Sequence, residues 1–294
     1  MVANFIPGIR AFYSYLFCLI AISFNLFAQG IKIEQPTVLF EDFIAYSNAS
    51  QLETLNGIVL GNQSQFGAFS EIKLFYTYGS MEIGKSKNNG IGASLYSFQE
   101  GQLILENRLK GSYWKKIDLN DKIIIVAGGQ VGLINTSIKA TKSTAGSNDW
   151  TPNLDFGLTF KTKTSVVAVS INQLSNAEAK PLTQIIRFQK FYTLFLSQKI
   201  KCNKNIYCTI LGNVVAVRGL EDIYNLKSDF DFGDHFSAGI GIGSNGLLTS
   251  IGLNSIDILG QKLSLKFGYQ YSFFKSVSSA LQPLHIHIKY QFSN

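Results

Sequence analysis

Apolar and polar residues alternate with a period of two along much of this chain, and most cleanly near its end. Leu263, Leu265, Phe267, Tyr269, Tyr271 and Phe273 share one face of a segment whose other face carries Ser264, Lys266, Gly268, Gln270 and Ser272. The pattern recurs at 284–292, where Leu284, Ile286, Ile288, Tyr290 and Phe292 oppose His285, His287, Lys289 and Gln291. A strand sends successive side chains to opposite faces, whereas no helix buries such a set on one side. Both apolar faces turn aromatic toward one end, as rings do at a membrane boundary. The polar faces have no obvious partner sheet and read as a wall facing water. The pair is therefore expected to be the closing hairpin of a transmembrane β-barrel, with Ser264, Lys266, Gln270, His285, His287 and Lys289 facing the lumen.

Similar signals repeat from about Leu55 onward, each ended by Gly, Asn, Ser or Lys clusters. They predict about fourteen strands, an even number as single-chain bacterial barrels usually have. The expected ranges are 55–62, 66–78, 90–99, 102–115, 123–135, 153–161, 165–172, 190–200, 206–217, 222–231, 236–243, 246–256, 263–273 and 284–292. Barrels of this kind have short periplasmic turns and longer outer loops. With the C-terminus in the periplasm, 136–152, 173–189 and 274–283 fall outside, and the turns at 161–164 and 202–205 fall inside. The connection 79–89 is long for a periplasmic turn. Two strands are apolar on both faces, around Ile123–Val126 and Val166–Val169. That fits a wall covered inside by a plug, or the core of a secreted soluble β-protein.

Composition narrows the class. Aromatic residues are 13% and charged residues 15% of the chain, a balance suited to a protein with one face in lipid. After the N-terminus no run approaches the roughly 20 apolar residues a spanning helix needs, so a membrane-spanning form must be a barrel. Arg10 followed by an apolar stretch to Phe27 predicts a signal peptide over 1–28, with cleavage near Ala28–Gln29. Residues 29–53 show neither period and are expected to be a periplasmic lead-in or a plug, followed by a barrel over 54–294. Loss of 1–28 removes Arg10 and no acid, leaving 25 basic against 19 acidic residues. That spread-out excess argues no nucleic-acid site. Cys202 and Cys208 remain in an exported chain, flanking the turn Asn203–Lys204–Asn205. A disulfide between them is open as a possibility, although they are not directly opposite. Two thiols alone make no closed metal site.

Several motifs invite chemistry and lack its context. Gly79–Ser86 spells a phosphate-binding loop, but Lys87–Asn88–Asn89–Gly90 and a strand-like run follow where a helix is needed. Gly241–Gly246 spells a dinucleotide fingerprint, yet Asn245–Gly246 between two apolar runs is a hairpin turn signal. His285, His287 and the distant His235 give no third or fourth metal ligand. Asp229, Asp231 and Asp234 lack calcium-loop spacing and read as solvated turn carboxylates. There is no nucleophile elbow, zinc-protease pair or carboxylate dyad. Nothing in the residues points to an enzyme or a cofactor.

The order of segments resembles the PorP/SprF family of outer-membrane proteins of the type IX secretion system. The likeness lies in Trp150–Leu158, where the family has a Pro-Asn-aromatic-Gly strand entry after a long loop, in Gln189–Leu194, in the glycine-rich run Phe236–Gly243, and in Lys266–Tyr271 and His285–Phe292. Ile44–Ala49 is similar to a worn form of the family's early Asn-Pro-Ala-Tyr-Ala-Gly box. The resemblance implies an outer-membrane barrel without catalytic residues. It also implies partners in the periplasmic secretion machinery, a secreted or surface protein as cargo, and, in some relatives, gliding through adhesin export. A diffusion channel or apolar-solute transporter on a similar barrel is the alternative, since the same lumen residues would suit either.

Overall fold

The computed structural model describes residues 47–292 apart from 67–72, 102, 141–144, 182–184, 219–221, 245, 259 and 273–281. The sequence-predicted signal peptide and most of the predicted lead-in lie outside the described residues. Fourteen antiparallel strands close into one barrel. In chain order the strands are β1 (Gly57–Phe66), β2 (Lys73–Ile83), β3 (Asn89–Glu100), β4 (Ile104–Asn120), β5 (Ile123–Ile138), β6 (Ser147–Lys161), β7 (Ser165–Asn172), β8 (Glu178–Ala179) and β9 (Ile186–Arg187). They continue with β10 (Phe191–Lys201), β11 (Ile206–Val217), β12 (Ile223–Phe232), β13 (Phe236–Gly243), β14 (Gly246–Ile258), β15 (Gln261–Ser272) and β16 (Gln282–Gln291). β8 and β9 form a small hairpin apart from the wall, and β1 pairs with β16 to close it.

The period of two is what makes this wall. In β6, Leu154, Phe156 and Phe160 stand exposed on one side while Asn153, Asp155, Gly157 and Thr159 are buried on the other. A soluble fold would bury the apolar side; here the polar side is enclosed and the apolar side faces out, which is the inversion a lipid environment selects. The fourteen wall strands run from 8 residues in β7 and β13 to 17 in β4, most of them at or above the roughly 9–11 needed to cross tilted.

The first two strands differ from expectation. β1 runs on to Phe66, where the second strand was expected to start, and β2 is described from Lys73, with Leu74, Tyr76 and Tyr78 turned inward and Phe75 outward. Its end at Ile83 shrinks the suspiciously long connection 79–89 to the turn 84–88, where Gly84 takes φ +80° and Lys87 φ 51°. β6 begins at Ser147, six residues before the predicted Asn153, because β5 continues to Ile138 and pairs with it residue for residue. Of the two doubly apolar strands, β5 is covered from inside, its Val126 packing with Ala49 and Leu52 of the inner helix, while Ala168 of β7 packs with Phe195 and Leu211 of the neighbouring wall strands.

Candidate functional site: the partly filled lumen

A short 3-10 helix, Ala49–Thr54, lies inside the barrel against β4, β5 and β6 and leads through Leu55 into β1. Asn48 starts it, its side-chain oxygen accepting from the Ser50 backbone N–H and from Ser50 Oγ. This satisfies donors that the first turn leaves without partners. The far wall then holds the helix. Ser50 Oγ lies 2.7 Å from Thr159 Oγ1, Gln51 Nε2 donates to the same oxygen at 2.6 Å, and Lys161 Nζ reaches Glu53 at 3.1 Å. Asn48 Nδ2 donates to the Val169 carbonyl at 3.1 Å.

The wall is notched to receive it. A Cβ at Gly128 would come within 2.5 Å of the Ser50 nitrogen, and one at Gly157 within 1.8 Å of Asn48 Oδ1. At Gly128 only glycine lets the helix backbone come so near, and at Gly157 a larger residue would displace the Asn48 side chain. On the opposite side Leu52 and Leu55 sit in a cluster with Tyr76, Tyr78, Tyr96 and Trp114, all inward residues of β2–β4. Trp114 Nε1 donates to Ser80 Oγ at 3.0 Å, so the large indole is both packed and satisfied.

Above the helix the inner wall is charged and tightly paired. Arg108 bonds Glu106 at 2.6 Å through Nε, and Lys110 Nζ lies 3.0 Å from Asp155 Oδ2, with all four side chains at most 2% exposed. Asp155 also accepts from the Gln173 backbone N–H at 2.7 Å and from Asn153 Nδ2 at 3.3 Å. Burying a charge is costly unless several partners hold it, as they do the Asp155 carboxylate. The β7–β10 connection folds over this cluster. Its hairpin buries Ala179, Ile186 and Phe188 on Ile134, and the Arg108 guanidinium stacks between the Phe188 and Tyr96 rings at 5.5 and 5.3 Å.

The sequence-predicted lumen residues fall on the facing part of the wall. Cross-strand register sets Ser264 beside Lys289, Lys266 beside His287 and Gly268 beside His285. His285 and His287 are fully buried, and Tyr76 Oη lies 3.1 Å from His287 Nδ1. Gln270 is buried beside Leu248 of β14, and Ser264, Lys266 and Lys289 are half-exposed. Next to them Lys227 pairs with Asp229 at 2.8 Å, Ser250 donates to Asp229 at 3.2 Å, and Asn254 donates to Asp231 at 3.1 Å. Asp229 and Asp231 therefore belong to β12 and its hydrogen-bond network, not to a solvated turn as the sequence reading had them. The outward positions of Phe230 and Phe232 on the same strand carried that signal.

Cys202 and Cys208 are free thiols. Cys208 stands opposite Ile200, and the Cys202 backbone bonds Ile206, so the hairpin register keeps the two cysteines out of facing positions. The phosphate-loop lookalike is the end of β2 and its turn. Gly241 and Gly243 are strand residues leading to the β13–β14 turn, within which Asn245 lies outside the described residues.

A closed antiparallel wall that is apolar outside, polar inside and joined by short turns at one rim is an outer-membrane β-barrel. Solved structures agree on the fold. The toluene transporter TbuX of Ralstonia pickettii superposes with a TM-score of 0.53 at 9% identity, covering 91% of this chain and 96% of that one. The monoaromatic hydrocarbon channel CymD gives 0.52 at 10% identity, covering 88% and 95%. A Pseudomonas aeruginosa FadL homologue gives 0.51 at 8%, covering 87% and 96%. No curated protein matches the sequence. The family described as "Type IX secretion system membrane protein PorP/SprF" matches residues 47–285, and the chain belongs to it. Its place is the outer membrane.

Proposed function

We propose that this protein is a non-enzymatic outer-membrane component of the type IX secretion machinery, supporting export or surface attachment of secreted proteins, gliding adhesins among them. The observation that carries the reading is the family match over residues 47–285. The filled half of the lumen is in keeping with it. An inner helix docked by hydrogen bonds and an ion pair, under a folded-in hairpin, suits a barrel that serves as an anchoring and docking body more than one that sieves solutes. On this reading residues 1–28 are the export signal, residues 29–53 a periplasmic lead-in or plug segment, and 54–294 the barrel. Its partners are the periplasmic machinery, a secreted or surface protein, and outer-membrane lipid.

The test is quantitative mass spectrometry of surface and culture-fluid proteins with and without the gene. Loss of one large surface protein marks a dedicated component, and loss of the whole exported set marks a general one. An unchanged exported set sinks the reading. A second reading, an outer-membrane conduit for small solutes, draws on the fold shared with TbuX and CymD. In it Ser264, Lys266, Gln270, His285, His287 and Lys289 line the path, and single-channel conductance of the purified protein would favour it.

A further inference from the structure

The two rims of the barrel are chemically unlike. The rim carrying the start of β1 and the end of β16 has the short turns, 84–88, 121–122, 162–164, 202–205 and 233–235, and is the periplasmic one. Along its β2–β11 arc, the segments 81–88, 115–123, 161–165 and 199–206 hold ten lysines and three acids. The remaining arc, over 231–236, 256–262 and 289–292, holds three acids and two lysines. Solvated rims usually mix the two signs; here positive charge is gathered on one crescent.

Direction distinguishes the possible occupants. Lys116 shares the inward face of β4 with Trp114, Lys161 that of β6 with Thr159, and Lys199 and Lys201 that of β10 with Ser197. These ammonium groups look toward the lower mouth, away from the lipid headgroups that surround the outer wall. Lys199 and Lys201 flank the Tyr207 ring at 4.9 and 5.9 Å, an aromatic floor between two cations. Lys115, Lys116, Lys122, Lys163 and Lys204 have no carboxylate partner among the described residues. One member of the crescent shows the ligand chemistry already: Lys161 holds the carboxylate of Glu53 from the inner helix.

We infer that this lysine crescent is a docking surface for an acidic, extended segment of a periplasmic protein, seated at the lower mouth beside the inner helix. The inference rests on the secretion reading for the partner's place and on charge and direction for its chemistry. Facing charges steer encounter and fix register, and exposed pairs weaken as salt screens them.

The full-length protein, in nanodiscs of zwitterionic lipid, is titrated with a fluorescein-labelled peptide of about ten glutamates at about 50 mM salt, where the screening length exceeds 10 Å. Binding should weaken at least about tenfold in the variant K116E/K163E/K199E/K201E/K204E, and should survive in K139E/K180E/K190E at the opposite rim. Heat-modifiable gel migration verifies that both variants keep the barrel. The inference is overturned if the unaltered protein does not bind, if both variants lose binding equally, or if adding phosphatidylglycerol to the nanodiscs abolishes it, which would hand the lysines to lipid. In cells the crescent variant should lower export while the opposite-rim variant does not. If deleting the whole gene leaves export unchanged, the secretion reading falls, and the peptide titration still decides the crescent.

Discussion

The two halves of the lumen solve the same problem differently. Behind β2–β7 the space is filled by protein: the inner helix below, the β8–β9 hairpin above, and the buried pairs Glu106–Arg108 and Lys110–Asp155 between them. Behind β12–β16 the wall keeps glycines at 239, 241, 252 and 268 and half-exposed Asp231, Ser264, Lys266 and Lys289. A charge in the first half must be satisfied by neighbours, because water is excluded. In the second, Asp231, Lys266 and Lys289 can be hydrated, whereas Lys227 is as buried as Lys110. The same residue types thus carry different weight depending on which side of the barrel they stand.

The sharpest way to break this contrast is to evict the inner helix. Gly128→Phe with Gly157→Phe puts rings where Ser50 and Asn48 now lie, and single-channel conductance should rise on the order of tenfold as the filled half opens. An unchanged conductance would mean that the helix does not limit the lumen. Next in size, Lys110→Met strands a buried Asp155 carboxylate and should cost about 3–5 kcal/mol in urea unfolding from lipid vesicles. Lys227→Met should cost only about 1–2 kcal/mol, because Asp229 keeps Ser250 and some contact with water. Equal costs would erase the distinction between dry and wet halves. Leu52→Ala should loosen the helix by about 2 kcal/mol or more, visible as flickering conductance with little change in barrel unfolding. At the small end, Ser264→Ala should stay within about 0.5 kcal/mol. A membrane-impermeant maleimide should label exposed Cys202 and leave buried Cys208 untouched.

Much of the wall was legible because lipid outside and water inside force a strict alternation. The hairpin at 263–292 and the faces of β6 and β13 could be read residue by residue. What occupies the lumen could not. The segment 47–54 has no period of its own and takes its place from glycines at 128 and 157, far along the chain. The one hint was that the Ile123–Val126 and Val166–Val169 runs are apolar on both faces, which requires something to cover the inner one. The Lys110–Asp155 pair was invisible because strand register, which no local pattern states, is what brings β4 and β6 within reach across β5. The expected start of the second strand at residue 66 falls instead at the end of β1, since nothing local marks where one strand of a hairpin gives way to the next.

The inner helix also dictates an order of events. It precedes β1 in the chain, yet its bonds are to Thr159, Lys161 and Val169, and the cylinder around it is shut by the pairing of β1 with β16, from Gly57 opposite Gln291 to Phe66 opposite Gln282. The seam joins the two most distant strands, the slowest kind of contact to make. A chain that zipped this seam first would have to thread the helix into a finished cylinder, past its own closed wall. A route in which β4–β7 curl around the helix as a half-open sheet and the β1–β16 seam seals last avoids that threading, and would trap the first part of the chain by the closing of its two ends.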